Sequence, residues 1–534
     1  MATEPRQPPS SCSPASSATY PPWVLLEHYG KDKATGSHTA TDARTFATAR
    51  SPTGHLVGVS LRLAAPPAAS SICVYYPDGG FDIAGSTVVA AHEDSVLINI
   101  GFGEGYHHNT SDYFVYNAGD AGANPPRAPS LSLLPPYYLT KEEMERIHNW
   151  SRLEEEGTGL LRRGEDEIAV AELTIVPASN ATTNEQMEAE LHLFRSGQWS
   201  VVRPALVIHG DSHGLLSLWT THTVLPVGDT QVCWVSLHHG LLFCSVFDES
   251  PVLRHVPLPK QAEEMEPHSG PGSSRDVCIT SGSMVKFVGI FPRCCCGGTG
   301  STHCQHSRHA YTINTWTLSM DSMVWVMDGM VHGTELWGLH AYEGLPRIPL
   351  MLPIVSLVDP HTICFLACEW YHIRDSGDIT GWLILVDIKR KAIKSVCRHS
   401  DGRLLTDVGQ LLPSRVSCYL DSNQRSSNRV SSAGEGHMDM IPSSPIVVID
   451  EPRANDAGSS ALSSCKSSPK PSIMQLSMVL AAFLEIQSYD LDQDDISKAY
   501  TILSHDGRRL KSFLGLPNNL RKDWILVEIK ATKA

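Results

Sequence analysis

The chain has 534 residues, 42% of them apolar and 19% charged. At roughly 100–200 residues per domain this is enough apolar material to offset the ordering entropy of two to four domains, which excludes a wholly disordered protein. Its 57 acidic residues exceed its 42 basic ones for a formal net charge of −15, a sign that repels phosphate backbones and anionic lipid and argues against nucleic-acid and membrane partners. The richest apolar run, Ile473 to Ile486, is broken by Gln475, Ser477 and Glu485, short of the roughly 18 uninterrupted residues a bilayer needs, so a soluble protein is expected.

Residues 1–20 are rich in Ser and Pro and lack an apolar core between a basic start and a small-residue cleavage site, so they are expected to be a disordered N-terminus rather than a secretory signal. Fourteen cysteines are scattered through apolar runs such as those of Cys233, Cys244, Cys364, Cys368 and Cys397. That usage suits buried thiols in a reducing compartment, cytoplasm or nucleus, better than a disulfide framework. The sequons at Asn109, Asn149 and Asn180 carry no weight in such a compartment.

From about Thr45 to Cys397 short runs of β-branched, aliphatic and aromatic residues alternate with Gly, Pro, Asp, Asn and Ser. They predict strands over His55–Leu63, Ser71–Tyr76, Ser95–Ile100, Asp112–Tyr116, Glu167–Val176 and Gly381–Asp387. Hairpin-like units recur in YFVYNAGDAG, LHLFRSGQWSVV, LLFCSVFDESPVLRHVPL, TWTLSMDSMVWVMD and LILVDIKRKAIKSVC. Aligned on Tyr116, Phe194, Val246, Trp316 and Val386, they are spaced by 78, 52, 70 and 70 residues. One sheet per unit in a radial array fits this quasi-period, and a pair of β-sandwiches is the competing arrangement. The fold expected is mainly β: a propeller-like body of about five or six small antiparallel sheets over residues 21–420, followed by a C-terminal α-helical unit.

An insertion over 141–190 carries 13 acidic and 5 basic residues, and KEEMERIHNWSRLEEE at its start has helical spacing at Met144, Ile147 and Trp150. Residues 421–472 contain 14 Ser among 52 positions and are expected to be a disordered linker. Beyond it, Ile473–Gln487 is apolar on nearly all sides, Asp494 can cap a helix over Ile496–Ser504, and Asn519 can cap a third, so 473–534 is expected to be a small helical unit.

The segments CWVSLHHGLLFCSVFDESPVLRHVPLP (233–259), GSMVKFVGIFPRCCCGG (282–298), YTINTWTLSMDSMVWVMDGMV (311–331) and LRKDWILVEIKA (520–531) resemble a plant family, expanded in grasses, called domain of unknown function 1618. The resemblance places the named domain at about 234–363 and implies no established activity and no catalytic residue. Some members carry an F-box, whereas here PPWVLLEHYG at 21–30 is followed at once by turn residues. A receptor role drawn from those members is therefore analogy.

Gly210-Asp211-Ser212-His213-Gly214 fits G-x-S-x-G after the strand Pro204–Ile208, but LLSLWTTHTVLP behind it reads as another strand instead of the helix a nucleophile elbow requires. A Gly/Asp turn accounts for the same letters. Cys294, Cys295, Cys296, His303, Cys304, His306 and His309 crowd a Gly-rich segment, and thiolates with imidazoles are zinc ligands. Adjacent cysteines cannot all face one tetrahedral centre, so if metal binds, Cys294, Cys296, Cys304 and His306 are the set. No cofactor is otherwise expected.

Asp490, Asp492 and Asp494 begin like a calcium loop, but Asp495 and Thr501 replace the required Gly and Glu. Gly101, Gly103 and Gly105 open no helix, which removes a dinucleotide fingerprint, and Arg508, Arg509 and Lys511 read as a solvated helix face. In the linker, Ile446, Val447, Val448 and Ile449 followed by Asp450 and Glu451 form a β-prone run that can add to a sheet edge and resembles a SUMO-interacting motif. The same run could pair with the chain's own β body. The function expected is a non-enzymatic protein-interaction module, an adaptor or receptor-like scaffold, with a serine hydrolase using Ser212 or a zinc-binding regulatory protein as the alternatives.

Overall fold

The computed structural model describes residues 20–33, 42–77, 82–103, 109–136, 153–178, 187–208, 214–263, 274–292, 311–368, 381–399, 411–421, 448–449 and 526. Among these residues the strands form six sheets, and the architecture is a mainly β, six-bladed propeller. The first blade takes β1 (Val24–Leu26), β2 (Lys31–Lys33), β3 (Ala47–Arg50), β4 (Leu56–Arg62) and β5 (Ala69–Tyr75). The second is the meander β6 (Asp82–His92), β7 (Ser95–Gly103), β8 (Asn109–Asn117) and β9 (Ser130–Leu133). The third runs β10 (Thr158–Arg163), β11 (Glu167–Pro177), β12 (Met187–Arg195) and β13 (Gln198–Val202).

In the fourth, β14 (Ala205–Val207) lies outside the meander β15 (Thr223–Val227), β16 (Gln231–Ser236), β17 (Gly240–Ser245) and β18 (Val252–Val256). The fifth is β19 (Arg275–Thr280), β20 (Met284–Pro292), β21 (Tyr311–Ser319) and β22 (Val324–His332). The sixth is β23 (Met351–Val355), β24 (Thr362–Cys368), β25 (Gly381–Asp387) and β26 (Ala392–His399). β27 (Leu412–Ser414) returns to the first blade, and β28 (Val448–Ile449) edges the sixth.

Packing between blades follows from the period of two along each strand. On β16, Val232 and Trp234 face the third blade while Cys233 and Val235 face the fifth. On β24, Ile363, Phe365 and Ala367 pack on the fifth blade, and Cys364, Leu366 and Cys368 on the first. Because both faces of such strands are covered, they read as continuous apolar runs. Every consecutive pair of blades shares a buried cluster, and the sixth meets the first through Ile354, Leu383 and Leu385 against Trp23, Leu25 and Ala69. The ring is therefore closed by packing.

Hydrogen bonding closes it as well, since β27 pairs antiparallel with β1. The sheets depart from the all-antiparallel expectation: β1 and β2 run parallel to β5, β14 parallel to β18, and β28 parallel to β26. The eight described cysteines are all buried except the partly exposed Cys418. The helical reading of 141–156 falls mostly outside the described residues, its last part ending in a 3-10 turn at Glu155–Gly157. The expected helices after 473, Leu526 apart, and the linker, β28 apart, lie outside them too. No helix among the described residues is long and apolar enough to cross a membrane.

The first strands of neighbouring blades run in the same direction. The Arg162 amide at the end of β10 donates to His92 Nδ1 at the end of β6 at 2.8 Å, and Thr280 Oγ1 at the end of β19 donates to the Ser356 carbonyl after β23 at 2.6 Å. One end of the ring thus carries tight turns, several with a residue at positive φ: Glu93, Gly164, Gly197, Gly228, Gly282 and Lys391. The strand ends that flank residues 104–108, 179–186, 264–273, 293–310 and 369–380 all lie at the other, upper end.

Candidate functional site

At the upper end, where the fourth blade meets the fifth, three chain segments bring titratable side chains together. His222 immediately precedes β15, His238 and His239 form the turn between β16 and β17, and Arg275 opens β19. Gly240 ends that turn with φ 119°, where a Cβ would lie 2.4 Å from the Val256 carbonyl oxygen and 2.8 Å from His255 Nε2. Only glycine lets β17 begin this close to β18.

The hydrogen bonds assign each imidazole a role. His238 Nδ1 accepts from the Arg275 guanidinium at 3.1 Å, His222 Nδ1 accepts from the Leu237 amide at 3.3 Å, and His255 Nε2 donates to the His239 carbonyl at 2.8 Å. The His222 and His238 rings meet edge to face with centroids 5.2 Å apart. A ring nitrogen that accepts cannot carry a proton, so the arrangement specifies neutral imidazoles. Burial lowers the His222 pKa, with His238 adding to the effect, and burial followed by the Arg275 charge lowers that of His238. Burial also lowers His255 and Arg275. His255 Nδ1 is buried with no hydrogen-bond partner among the described residues.

Asp276 lies on the other face of β19, beside Cys278, whose thiol is 4.0 Å from Oδ2. Burial pushes its carboxyl up to about 7, and the Val277 amide, donating to Oδ1 at 2.8 Å, offsets that only in part. A folded-state value above the unfolded one means that the protein binds this proton more tightly than the unfolded chain does, so stability falls as pH rises from about 4 to about 7. Asp276→Asn keeps the amide bond without the ionisation. The variant is expected to match the parent near pH 4 and to exceed it by about 1–3 kcal/mol at pH 8 in urea unfolding. Equal stability at both pH values contradicts this.

Across the ring the polar residues have the opposite character. Glu155 accepts from Thr87 Oγ1 at 2.9 Å and from Asn99 Nδ2 at 3.2 Å, and faces His28 Nε2 at 3.3 Å. Glu172 accepts from the Glu154 amide at 2.6 Å and pairs with His192 at 3.0 Å, whose other nitrogen meets Glu190 at 3.1 Å. Burial alone would lower the His192 pKa, but hydrogen bonds to Glu172 and Glu190 carry it upward. Burial and then its neighbours Glu154 and Glu155 raise that of Glu156. The structure thus sets an acidic group on the second and third blades and imidazoles with a guanidinium between the fourth and fifth.

This geometry supplies fixed N–H donors and carboxylate acceptors, the chemistry of polar recognition. Among the described residues no group of three or more His, Cys, Asp or Glu side chains is placed to hold a metal ion. Ser212, with His213, and the Cys294, Cys296, Cys304 and His306 set lie outside the described residues. Around Ser212, β14 ends at Val207 and the chain after Gly214 makes a 3-10 turn at Leu216–Leu218 before β15, in place of one continuous strand. Of Ile446–Glu451, Val448 and Ile449 pair in parallel with Val396 and Cys397, and the other four positions lie outside the described residues.

Sequence reasoning missed the histidine–arginine group. Its visible signals were the His238-His239-Gly240 turn and the Arg275-Asp276 pair opening an otherwise apolar strand.

A family model described as "Protein of unknown function (DUF1618)" matches residues 234–364. No curated protein matches the chain. Among solved structures, the chain is similar to MPT-1, a GDP-Man-dependent mannosyltransferase from Leishmania mexicana, at 9% identity and TM-score 0.19 over 59% of this chain and 84% of that one. It is similar also to MPT-4, a mannose phosphorylase from the same organism, at 10% identity and TM-score 0.19 over 57% of this chain and 80% of that one.

Proposed function

From a chain whose residues 234–364 are a DUF1618 domain, we propose a non-enzymatic protein-interaction module, an adaptor or receptor-like scaffold of the cytoplasm or nucleus, that binds its partner with the upper end of the ring. The observation that carries this reading is the asymmetry of the two ends. Most connections at one end are tight turns, the excursion between β8 and β9 being the exception, while the other end carries the longer connections and the His222–His238–Arg275 group. Loops on a rigid scaffold are where binding residues concentrate.

The domain boundaries agree with a surface assembled by the whole ring. Residue 234 lies within β16 and residue 364 within β24, so the domain cuts two sheets and shares its cores with blades outside it. Charge divides the upper end into an acidic side and an imidazole–guanidinium side, which suits a polar protein surface carrying both signs.

Affinity purification of the full chain from native tissue extract tests this, using His238→Glu at the upper end and Asp166→Lys in the exposed β10–β11 turn of the lower end. A reproducible partner is expected with the parent and with Asp166→Lys, and to be lost with His238→Glu. A partner set indifferent to His238→Glu, or turnover of a small molecule by the purified chain without any partner, contradicts the proposal.

A further inference from the structure

His238 is the exposed member of the upper-end group. The turn that carries it is fixed on both sides: Gly240 closes it at φ 119°, and His255 Nε2 on β18 donates to the His239 carbonyl at 2.8 Å. The His238 ring meets the His222 ring edge to face, and the His239 ring lies 6.2 Å away between centroids. His222 is itself engaged by backbone, through the Leu237 amide and Thr220. His238 is thus the ring of the pair that faces solvent.

Arg275, 7% exposed at the start of β19, donates to His238 Nδ1 at 3.1 Å. A guanidinium has donors only, so Nδ1 is the bare nitrogen and the proton sits on Nε2. Nδ1 is turned in toward the buried Arg275, which leaves Nε2–H of this exposed ring directed outward. Among the described residues none accepts a hydrogen bond from His238 Nε2. A cation bonded to one ring nitrogen polarises the ring and strengthens the other N–H as a donor. The groups that act electrostatically on His222, His238 and His255 are Arg275 and other imidazoles, with no carboxylate among the described residues. Such surroundings favour an anionic acceptor over a neutral carbonyl.

We propose that His238 receives an oxyanion group of the partner protein, an acidic side-chain carboxylate or a phosphoryl group, as a neutral Nε2–H donor, with Arg275 as the residue that positions it. This assignment rests on the upper-end reading and names the partner chemistry that His238 meets. Burial and then the Arg275 charge hold the His238 pKa below the ordinary imidazole value. Above about pH 6.5 the ring is therefore uncharged and still donates, so binding needs no acid.

Isothermal titration of the full chain with glutamate-rich, phosphoserine-containing and lysine-rich peptides at millimolar concentration tests the proposal. The glutamate-rich or the phosphoserine peptide is expected to bind, and which of them binds identifies the oxyanion. Its dissociation constant should change less than about threefold between about pH 6.5 and about pH 8.5. His238→Leu removes the donor and should weaken binding at least about tenfold, whereas His238→Gln, whose amide nitrogen replaces Nε2, should stay within about threefold of the parent. Arg275→Met frees Nδ1 to take a proton, so binding there should become more than about threefold tighter at the lower pH. An unchanged pH profile in that variant removes the positioning role of Arg275. Equal binding by His238→Leu, preference for the lysine-rich peptide, no binding of any peptide, or parent binding that needs the lower pH overturns the donor assignment. If the native partner is lost with His238→Glu while neither anionic peptide binds, the upper-end reading stands and this assignment alone falls. If partner capture ignores His238→Glu, both fall.

Discussion

Trp234→Ala is expected to lower the unfolding free energy by about 3–5 kcal/mol, the range for removing a large buried aromatic side chain. Trp234 is fully buried and packs on Leu161, Ala171 and Leu191 of the third blade from its place on β16 of the fourth. Its Nε1 also donates to the Gly157 carbonyl at 2.8 Å, just before β10 begins. Alanine leaves a cavity between two blades and a buried carbonyl without its donor. Trp234→Phe retains most of the volume and isolates the second effect, about 1–3 kcal/mol for an acceptor left unsatisfied. Urea unfolding of the two variants separates the contributions, and a loss below about 1 kcal/mol for the alanine variant would show that this contact does not hold the blades together.

Val416→Asp is the second large effect expected, a loss of several kcal/mol because an ionised carboxylate enters a site with no partner for it. Val416 is fully buried beyond β27 and packs with Val24, Leu26, Val57 and Phe114 of the first and second blades. Its segment is bolted to three blades. Arg415 donates to the Leu357 carbonyl at 3.0 Å, the Ala121 amide donates to the Tyr419 carbonyl at 2.9 Å, and the Cys418 thiol donates to the Pro22 carbonyl at 2.7 Å. Val324→Asp changes the same residue type where it is 55% exposed, and a shift within about 0.5 kcal/mol is expected there. Thermal and urea unfolding of the pair provides the comparison, and similar losses at both sites would contradict the buried closing segment.

Much of the ring was legible in the residues. Four of the repeat anchors, Tyr116, Phe194, Trp316 and Val386, fall on the third strands of their blades, and Val246 directly follows the third strand of its own. The first blade has no such anchor. Its strands come from both ends of the described body, paired partly in parallel, and only long-range contact joins Val24–Leu26 to Leu412–Ser414. YFVYNAGDAG departs from the expected hairpin because the chain makes a longer excursion, held by Asp120 and Arg127, before β9 starts at Ser130.

The candidate site was less legible for a related reason. His222, His238 and His255 come from separate strand ends of the fourth blade, and Arg275 joins them only when the fifth blade packs on the fourth. No local spacing announces such a group, whereas Gly210–Gly214 and Cys294–His306 caught attention by being contiguous. Ser212 and His213 lie outside the described residues, between strand Ala205–Val207 and the 3-10 turn Leu216–Leu218.

The closed ring is tested most directly by a double substitution, Val24→Cys with Ser414→Cys, at two facing positions of β1 and β27. Facing residues of an antiparallel pair have Cα atoms about 4.5–5.5 Å apart, within disulfide range. Peptide mass spectrometry after mild oxidation of the folded protein is expected to find the two introduced thiols joined within one chain, with the bond absent when oxidation is done in strong denaturant. Folded chains in which these thiols stay apart, or join only between molecules, would contradict a propeller closed by its two ends.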